Sequence, residues 1–213
     1  MAFILETVVV TTDAAGAMCG TPAASVVVTT DAAGVPHIAP YGLIADGDAW
    51  VLAPFRPSPA IANLSENPFA VASSPRDVRV IAGCVTGRRD WPTEPADHVP
   101  GRRLSSEYAH AHLELAVDGV VEDAQRPRFR CRVVETVAVT AWPGYNRAQN
   151  AVLEAAILST RLSMLPPEKV ATEIAYLSIA IEKTAGPAER EAWGWIIDRI
   201  EAHNSRTHNN AAG

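Results

Sequence analysis

Arg56-Pro57-Ser58-Pro59 is the stretch of this 213-residue chain whose residue types are best suited to chemistry. Ser58 is a good helix N-cap and Pro59 a good first helical residue, so a short helix is expected near Ala60–Leu64. A helix N-terminus offers free backbone N–H groups and a partial positive charge, which attract anions. Arg56 stands just before it, where a guanidinium can pair two phosphate oxygens at once. Arg56, Ser58 and the following amides can therefore grip a terminal phosphate. The same residues also suit a capped surface helix with a solvated arginine, and the commonness of such caps favours that plainer reading when they are taken alone.

Other constellations carry less. In Trp142–Leu165, Asn146 and Arg147 sit at the start of a helical pattern, with Glu154 and Arg161 seven residues apart further along it. Such a pair usually marks a solvated face. His110 and His112, with Glu107 and Glu114 nearby, have an i,i+2 spacing that shares one strand face, but no third ligand stands near them. They are expected to be exposed strand residues, and no metal site is assigned. Ser105-Ser106 lies in no G-x-S-x-G motif, and neither a G-x-G-x-x-G nor a P-loop pattern occurs. No side chain stands out as an acid–base catalyst, so the catalytic residue is unknown.

These residues must be positioned by two kinds of element. Before about residue 142, short runs rich in Val, Ile and Thr alternate with Gly, Pro and Asp turns. Val26–Thr30, His37–Ile44, Ala49–Ala53, Phe69–Ser73, Val78–Val85, Ala109–Val120 and Arg128–Val139 read as strands. Asp31-Ala32-Ala33-Gly34 and Asp46-Gly47-Asp48 supply the tight turns that make an antiparallel barrel or sandwich. After residue 142 the apolar period changes to that of helices. Ala148, Ala151, Val152, Ala155, Leu158, Leu162 and Leu165 form the first apolar face; Val170, Ile174, Leu177 and Ile181 the second; Trp193, Ile196, Ile197 and Ile200 the third. Pro166-Pro167 and Gly186-Pro187 punctuate them. The expected organisation is a barrel over residues 1–141, a helical subdomain over 142–203 and a flexible tail over 204–213. The segment VVVTTDAAG occurs twice, at Val8–Gly16 and Val26–Gly34; two copies make no solenoid, and the first is read as a local duplication or an added edge strand.

Composition narrows the classes. A formal net charge of −6 disfavours a nucleic-acid binder. No apolar run reaches the roughly 18 residues of a membrane span, and Met1–Val10 lacks a basic n-region, so no signal peptide is expected. Cys19, Cys84 and Cys131 show no CxxC spacing, which suits buried thiols in a reducing compartment and a cytoplasmic protein.

VVVTTDAAGVPHIAPYGLI, LAPFRPSPAIANL, GYNRAQNAVLEAAILSTRLSMLP and IEKTAGPAEREAW together resemble a family of FMN-binding split-barrel proteins of archaea and one-carbon-metabolising bacteria. The likeness covers most of residues 26–200; between about 85 and 108 no pattern is recognised. It implies a mainly β fold with α, an antiparallel split β-barrel followed by a C-terminal three-helix segment. It also implies a homodimer with FMN near the interface, acting as a flavin-dependent oxidoreductase on a small organic substrate, such as a pterin or one-carbon cofactor. The alternative is a non-enzymatic flavin- or ligand-binding barrel. In the site so implied, Thr29 and Thr30 end the first barrel strand, and His37, Ala39, Pro40, Tyr41 and Gly42 run along the flavin ring. Arg56 and Ser58 take the phosphate, Asn63 caps or braces the helix, and Asn146 and Arg147 close the site. Two positions depart from the pattern: Ala53 stands where a basic residue often precedes Pro-Phe, and Ala60 where a threonine is usual.

Overall fold

The computed structural model describes residues 10–12, 18–20 and 23–211. Two short strands, β1 (Val10–Thr12) and β2 (Met18–Gly20), pair with each other as a two-stranded sheet. Of the first VVVTTDAAG copy, Val10–Thr12 is thus a strand outside the barrel, while its flanking residues lie outside the described set. The barrel begins with β3 (Ala23–Thr30), β4 (Pro36–Asp46) and β5 (Ala49–Leu52). The Asp31 side chain makes the β3–β4 turn: its Oδ1 accepts from Ala33 N (2.9 Å) and Val35 N (2.8 Å), and Gly34 takes φ +84°. Helix α1 (Pro59–Glu66) and strand β6 (Phe69–Pro75) follow.

Next comes a departure from expectation. Val78–Val85 reads as a strand, yet Arg79–Val85 is a helix, α2. Its run Val80–Cys84 is buried throughout, and a short unbroken apolar run has no period to separate strand from helix. Asp77 decides locally: its Oδ1 accepts from Arg79 N (2.9 Å), while its carboxylate also holds the Arg79 guanidinium. The hairpin β7 (Thr93–Pro95) and β8 (Arg102–Leu104) lies where the sequence carries no recognised pattern. Long strands β9 (Ala109–Val121) and β10 (Arg128–Ala138) complete the sheet. The helices α3 (Arg147–Ser159), α4 (Pro167–Thr184) and α5 (Pro187–Ala211) end the chain. The first stops earlier than its apolar stripe suggests. Three-residue hydrogen bonds, Thr160 N to Ile157 O and Arg161 N to Leu158 O, tighten its end into turns. The last continues past His203 to Ala211.

These elements form two compact units. In the first, residues up to Arg76 and Asp90–Trp142, six antiparallel strands close in the order β10-β5-β4-β3-β6-β9. Val27, Leu43, Trp50, Leu52, Leu113, Leu115 and Phe129 fill its interior, with Leu64 of α1 packed among them. In the second, Asp77–Arg89 and Pro143–Gly213, α2 joins the three C-terminal helices. Ala148, Ala151, Val152, Ala155, Ala192 and Ile196 are its buried small and branched side chains. Among the described residues no helix is long and apolar enough to cross a membrane.

Candidate functional site

Within the closed barrel the two neighbours of β4 pair with it over different lengths. β4 pairs with β3 along Pro36–Leu43, whereas β5 reaches β4 only from Leu43 to Asp46. Along Pro36–Gly42 β4 therefore runs beyond the end of β5. Ala39, Pro40 and Gly42 are small residues there and are half-buried.

Tyr41 links this strand to the start of α1. Its ring packs against the barrel core, and its hydroxyl lies 2.8 Å from Ser58 Oγ. Ser58 occupies the N-cap position, as its residue type predicts, but its hydroxyl makes no capping hydrogen bond and is turned to Tyr41 instead. Thr29 and Thr30 are buried at 1% and 5% exposure. Thr29 Oγ1 accepts from Asn63 Nδ2 (3.0 Å), which braces α1 on β3, and Thr30 Oγ1 accepts from Arg102 N (3.2 Å). His37 pairs with Thr29 in the β3–β4 ladder and is half-buried.

The Arg56 guanidinium is tied at the surface, to Glu122 at 3.3 Å, with side-chain exposures of 42% and 77%, and through Nε to the Asp123 carbonyl at 3.4 Å. A pair so exposed contributes roughly 0–1 kcal/mol and yields readily to a better anion. The β9–β10 connection that carries Glu122 also carries Arg126, whose basic cluster with Arg128, Arg130 and Arg132 reads from the sequence as a solvated loop or strand face. Arg126 stacks its guanidinium 4.6 Å over the Phe55 ring and donates from Nε to the Ala53 carbonyl at 2.9 Å. A guanidinium from a distant loop thus stands at the position where Ala53 lacks a basic side chain. Its loop is fixed by Asp123, whose Oδ1 accepts from Gln125 N and Arg126 N; those bonds hold the carboxyl below the usual range. Ala60 is fully buried in α1.

On the outer face of β9, His112 and Glu114 are 1% and 0% exposed, which corrects their expected place as exposed strand residues. The β7–β8 hairpin supplies their cover. Glu114 accepts from Asp97 N (2.8 Å) and His98 N (2.6 Å), so its carboxylate pins the hairpin turn. Asp97, His98 and Glu114 bring donor atoms within 4.8 Å of one another. Yet Asp97 Oδ2 accepts from Arg103 Nη1 (2.7 Å), a cation already among the acids, and the cluster is a brace. His112 Nδ1 pairs with Ser73 Oγ at 2.9 Å, while burial, with Arg103 nearby, pulls its imidazole down to about 4.

Asn146 and Arg147 belong to the helical unit. Asn146 is the N-cap of α3, its side chain accepting from Ala148 N at 2.9 Å. Arg147 borders a groove between α3 and α4 with Glu154, Tyr176 and Ile179.

Comparison with known proteins places this geometry. No curated protein matches the chain significantly. Among solved structures, an FMN-bound protein of Methanosarcina mazei carrying the DUF447 family model is 20% identical, with a TM-score of 0.71 over 84% of this chain and 94% of that one. That likeness shows the fold, the split barrel with a helical C-terminal segment expected from the sequence. A 2-nitrobenzoate 2-nitroreductase of Pseudomonas fluorescens is 16% identical, with a TM-score of 0.46 over 54% of this chain and 64% of that one. An FMN-binding protein of Thermus thermophilus, solved with p-hydroxybenzaldehyde, is 15% identical, with a TM-score of 0.45 over 54% and 70% of the respective chains. Family models described as the N-terminal domain of protein of unknown function (DUF447) and as protein of unknown function (DUF447) match residues 25–139 and 146–198. With both its barrel and its C-terminal helices so matched, the chain belongs to the DUF447 family.

Proposed function

We propose that this chain is a flavoprotein that holds FMN along β4 and serves as a flavin-dependent oxidoreductase for a small organic substrate. The observation that carries the reading is the Tyr41–Ser58 hydroxyl pair, which joins β4 to the start of α1, with the guanidinium groups of Arg56 and Arg126 on the adjoining segment. The hydrogen-bonding edge of a flavin ring has alternating donors and acceptors, which strand backbone can match without side-chain chemistry. His37, Ala39, Pro40 and Gly42 would flank the ring, and Arg56, Ser58, Tyr41 and Arg126 would hold the phosphate. Thr29 and Thr30 support the site by fixing α1 and β8 against β3. Membership of a family that includes the FMN-bound M. mazei protein supports the same reading.

Bound FMN supplies one- and two-electron transfer, so the protein need only bind, orient and shield it. The chain's own residues set that environment: backbone groups of β4 at the ring edge and cations at the phosphate. Phe55, Val120 and Val121 are exposed apolar side chains on the same unit, at 63%, 47% and 64%. They favour a homodimer in which a second copy covers the site. The buried Cys84 and Cys131 thiols, both pushed up to about 12 by burial, suit a cytoplasmic setting and take no part in the chemistry. A pterin or another one-carbon cofactor is the substrate class we assign, from family likeness alone.

The test is the spectrum of the purified protein, followed by mass analysis of the ligand released on denaturation and by anaerobic reduction with NADH or NADPH. Flavin bands, released FMN and turnover with a pyridine nucleotide are expected. Because Ala60 offers no hydroxyl at the phosphate end of α1, a second reading is a barrel that binds flavin without turnover. Flavin that no physiological reductant reduces would select it.

A further inference from the structure

The helical unit contains a cavity of about 190 Å³ that the flavin reading does not use. Ser159, Thr160 and Ser163 line it from the α3 side, and Arg199, His203 and Arg206 from α5. The three basic residues are spaced by four and three positions, which puts them on one stripe of the helix. Positions three and four away from each of them hold no Asp or Glu. The residues across the cavity are neutral as well. Of the acids of this unit, Asp77 and Glu191 pair with Arg79, Glu173 with Lys169 and Glu189 with Gln149, while Asp198 and Glu201 on α5 do not line the cavity. A net-acidic chain thus gathers basic side chains, without acids between them, around one concave site.

One of these side chains is already anchored. Arg199 Nε donates to the Ser159 carbonyl at 3.2 Å, which holds the guanidinium at the cavity wall and leaves its other N–H groups for a ligand. Guanidinium groups and hydroxyls together match a phosphate better than a carboxylate, because they offer several donors to a multiply charged, three-oxygen group. The cavity is smaller than the roughly 300–1,000 Å³ of drug-sized sites, so it takes a phosphate and a few further atoms.

We propose that this cavity is a second ligand site, which binds the phosphate of a small phosphorylated metabolite. Arg199 and Arg206 pair its oxygens, and the His203 imidazole and Ser163 hydroxyl complete the set. The site is independent of the flavin and stands whether or not FMN binds the barrel.

The experiment is a calorimetric titration of the full chain with pyrophosphate at low ionic strength, beside inorganic phosphate and acetate. It compares wild type with Arg206→Ala, Arg206→Lys and His203→Gln, and with the barrel double variant Arg56→Ala/Ser58→Ala. Arg206 and His203 lie on the outer part of α5, so circular dichroism should match wild type. Saturable pyrophosphate binding is expected in wild type and in the barrel variant. It should weaken at least about tenfold in Arg206→Ala, weaken less in Arg206→Lys, and exceed acetate binding throughout. Absence of saturable binding in wild type would overturn the proposal, as would indifference to Arg206→Ala, equal affinity for acetate, or loss of binding in the barrel variant.

Discussion

Replacing Arg126 by Met probes the phosphate end of the proposed flavin site. Methionine keeps an unbranched apolar stem over Phe55 but removes the guanidinium that stacks there at 4.6 Å and donates to Ala53 O at 2.9 Å. If that guanidinium supplies the charge absent at Ala53, its loss removes one charge-assisted hydrogen bond to phosphate. Such a bond is worth about 1.5–3 kcal/mol, or roughly a 12- to 150-fold rise in the FMN dissociation constant. The structural cost is separate: one side chain to backbone hydrogen bond and one exposed cation–π contact, together about 1–2 kcal/mol. Quenching of FMN fluorescence measures the first and urea unfolding the second. Arg126→Lys should restore part of the affinity, because it keeps the charge but not the planar fork. An Arg126→Met protein that binds FMN within about twofold of wild type would refute the reasoning.

Three further outcomes follow from particular contacts. Tyr41→Phe and Ser58→Ala each break the 2.8 Å hydroxyl pair, and each should weaken FMN binding by about three- to tenfold in the same titration while leaving the urea midpoint nearly unchanged. Asn63→Ala leaves the buried Thr29 hydroxyl without its donor and should cost about 1–3 kcal/mol in urea unfolding; the double variant Asn63→Leu/Thr29→Val should recover much of it, since both polar partners are then gone. His112 has a folded pKa near 4, below its unfolded value of about 6.5, so between those values the unfolded chain binds the extra proton. Its contribution is complete above about pH 6.5 and declines as pH falls toward 4, by up to about 3 kcal/mol; unfolding measured across that window should slope less in His112→Gln.

Much of the barrel could be read directly because its signals are local. The β3–β4 and β4–β5 hairpins follow from Asp-Gly turns between β-branched runs, and the Asp31 side chain makes the hydrogen bonds its residue type promises. The helix stops follow from Pro166-Pro167 and Gly186-Pro187. What failed depended on long-range partners. Val80–Cys84 is apolar without a period and buried throughout, so its pattern alone does not separate helix from strand. His112 and Glu114 alternate as an exposed strand face would, but a hairpin with no recognisable pattern buries them. The site divides in the same way. Ser58 and Pro59 announce the start of α1, whereas the turn of the Ser58 hydroxyl toward Tyr41 depends on how β4 meets that helix. Arg126 lies 73 residues from Ala53, and no spacing rule connects them. That β4 outruns β5 along Pro36–Gly42 comes from the length of β5, only four residues against eleven in β4.

The most direct test of the flavin site is a paired fluorescence titration of the ligand-stripped protein with FMN and with riboflavin, which lacks the phosphate. The account predicts saturable binding of one FMN per chain and riboflavin binding weaker by at least about a hundredfold, since several charge-assisted contacts go to the phosphate. No saturable FMN binding, or equal affinity for the two flavins, would contradict it.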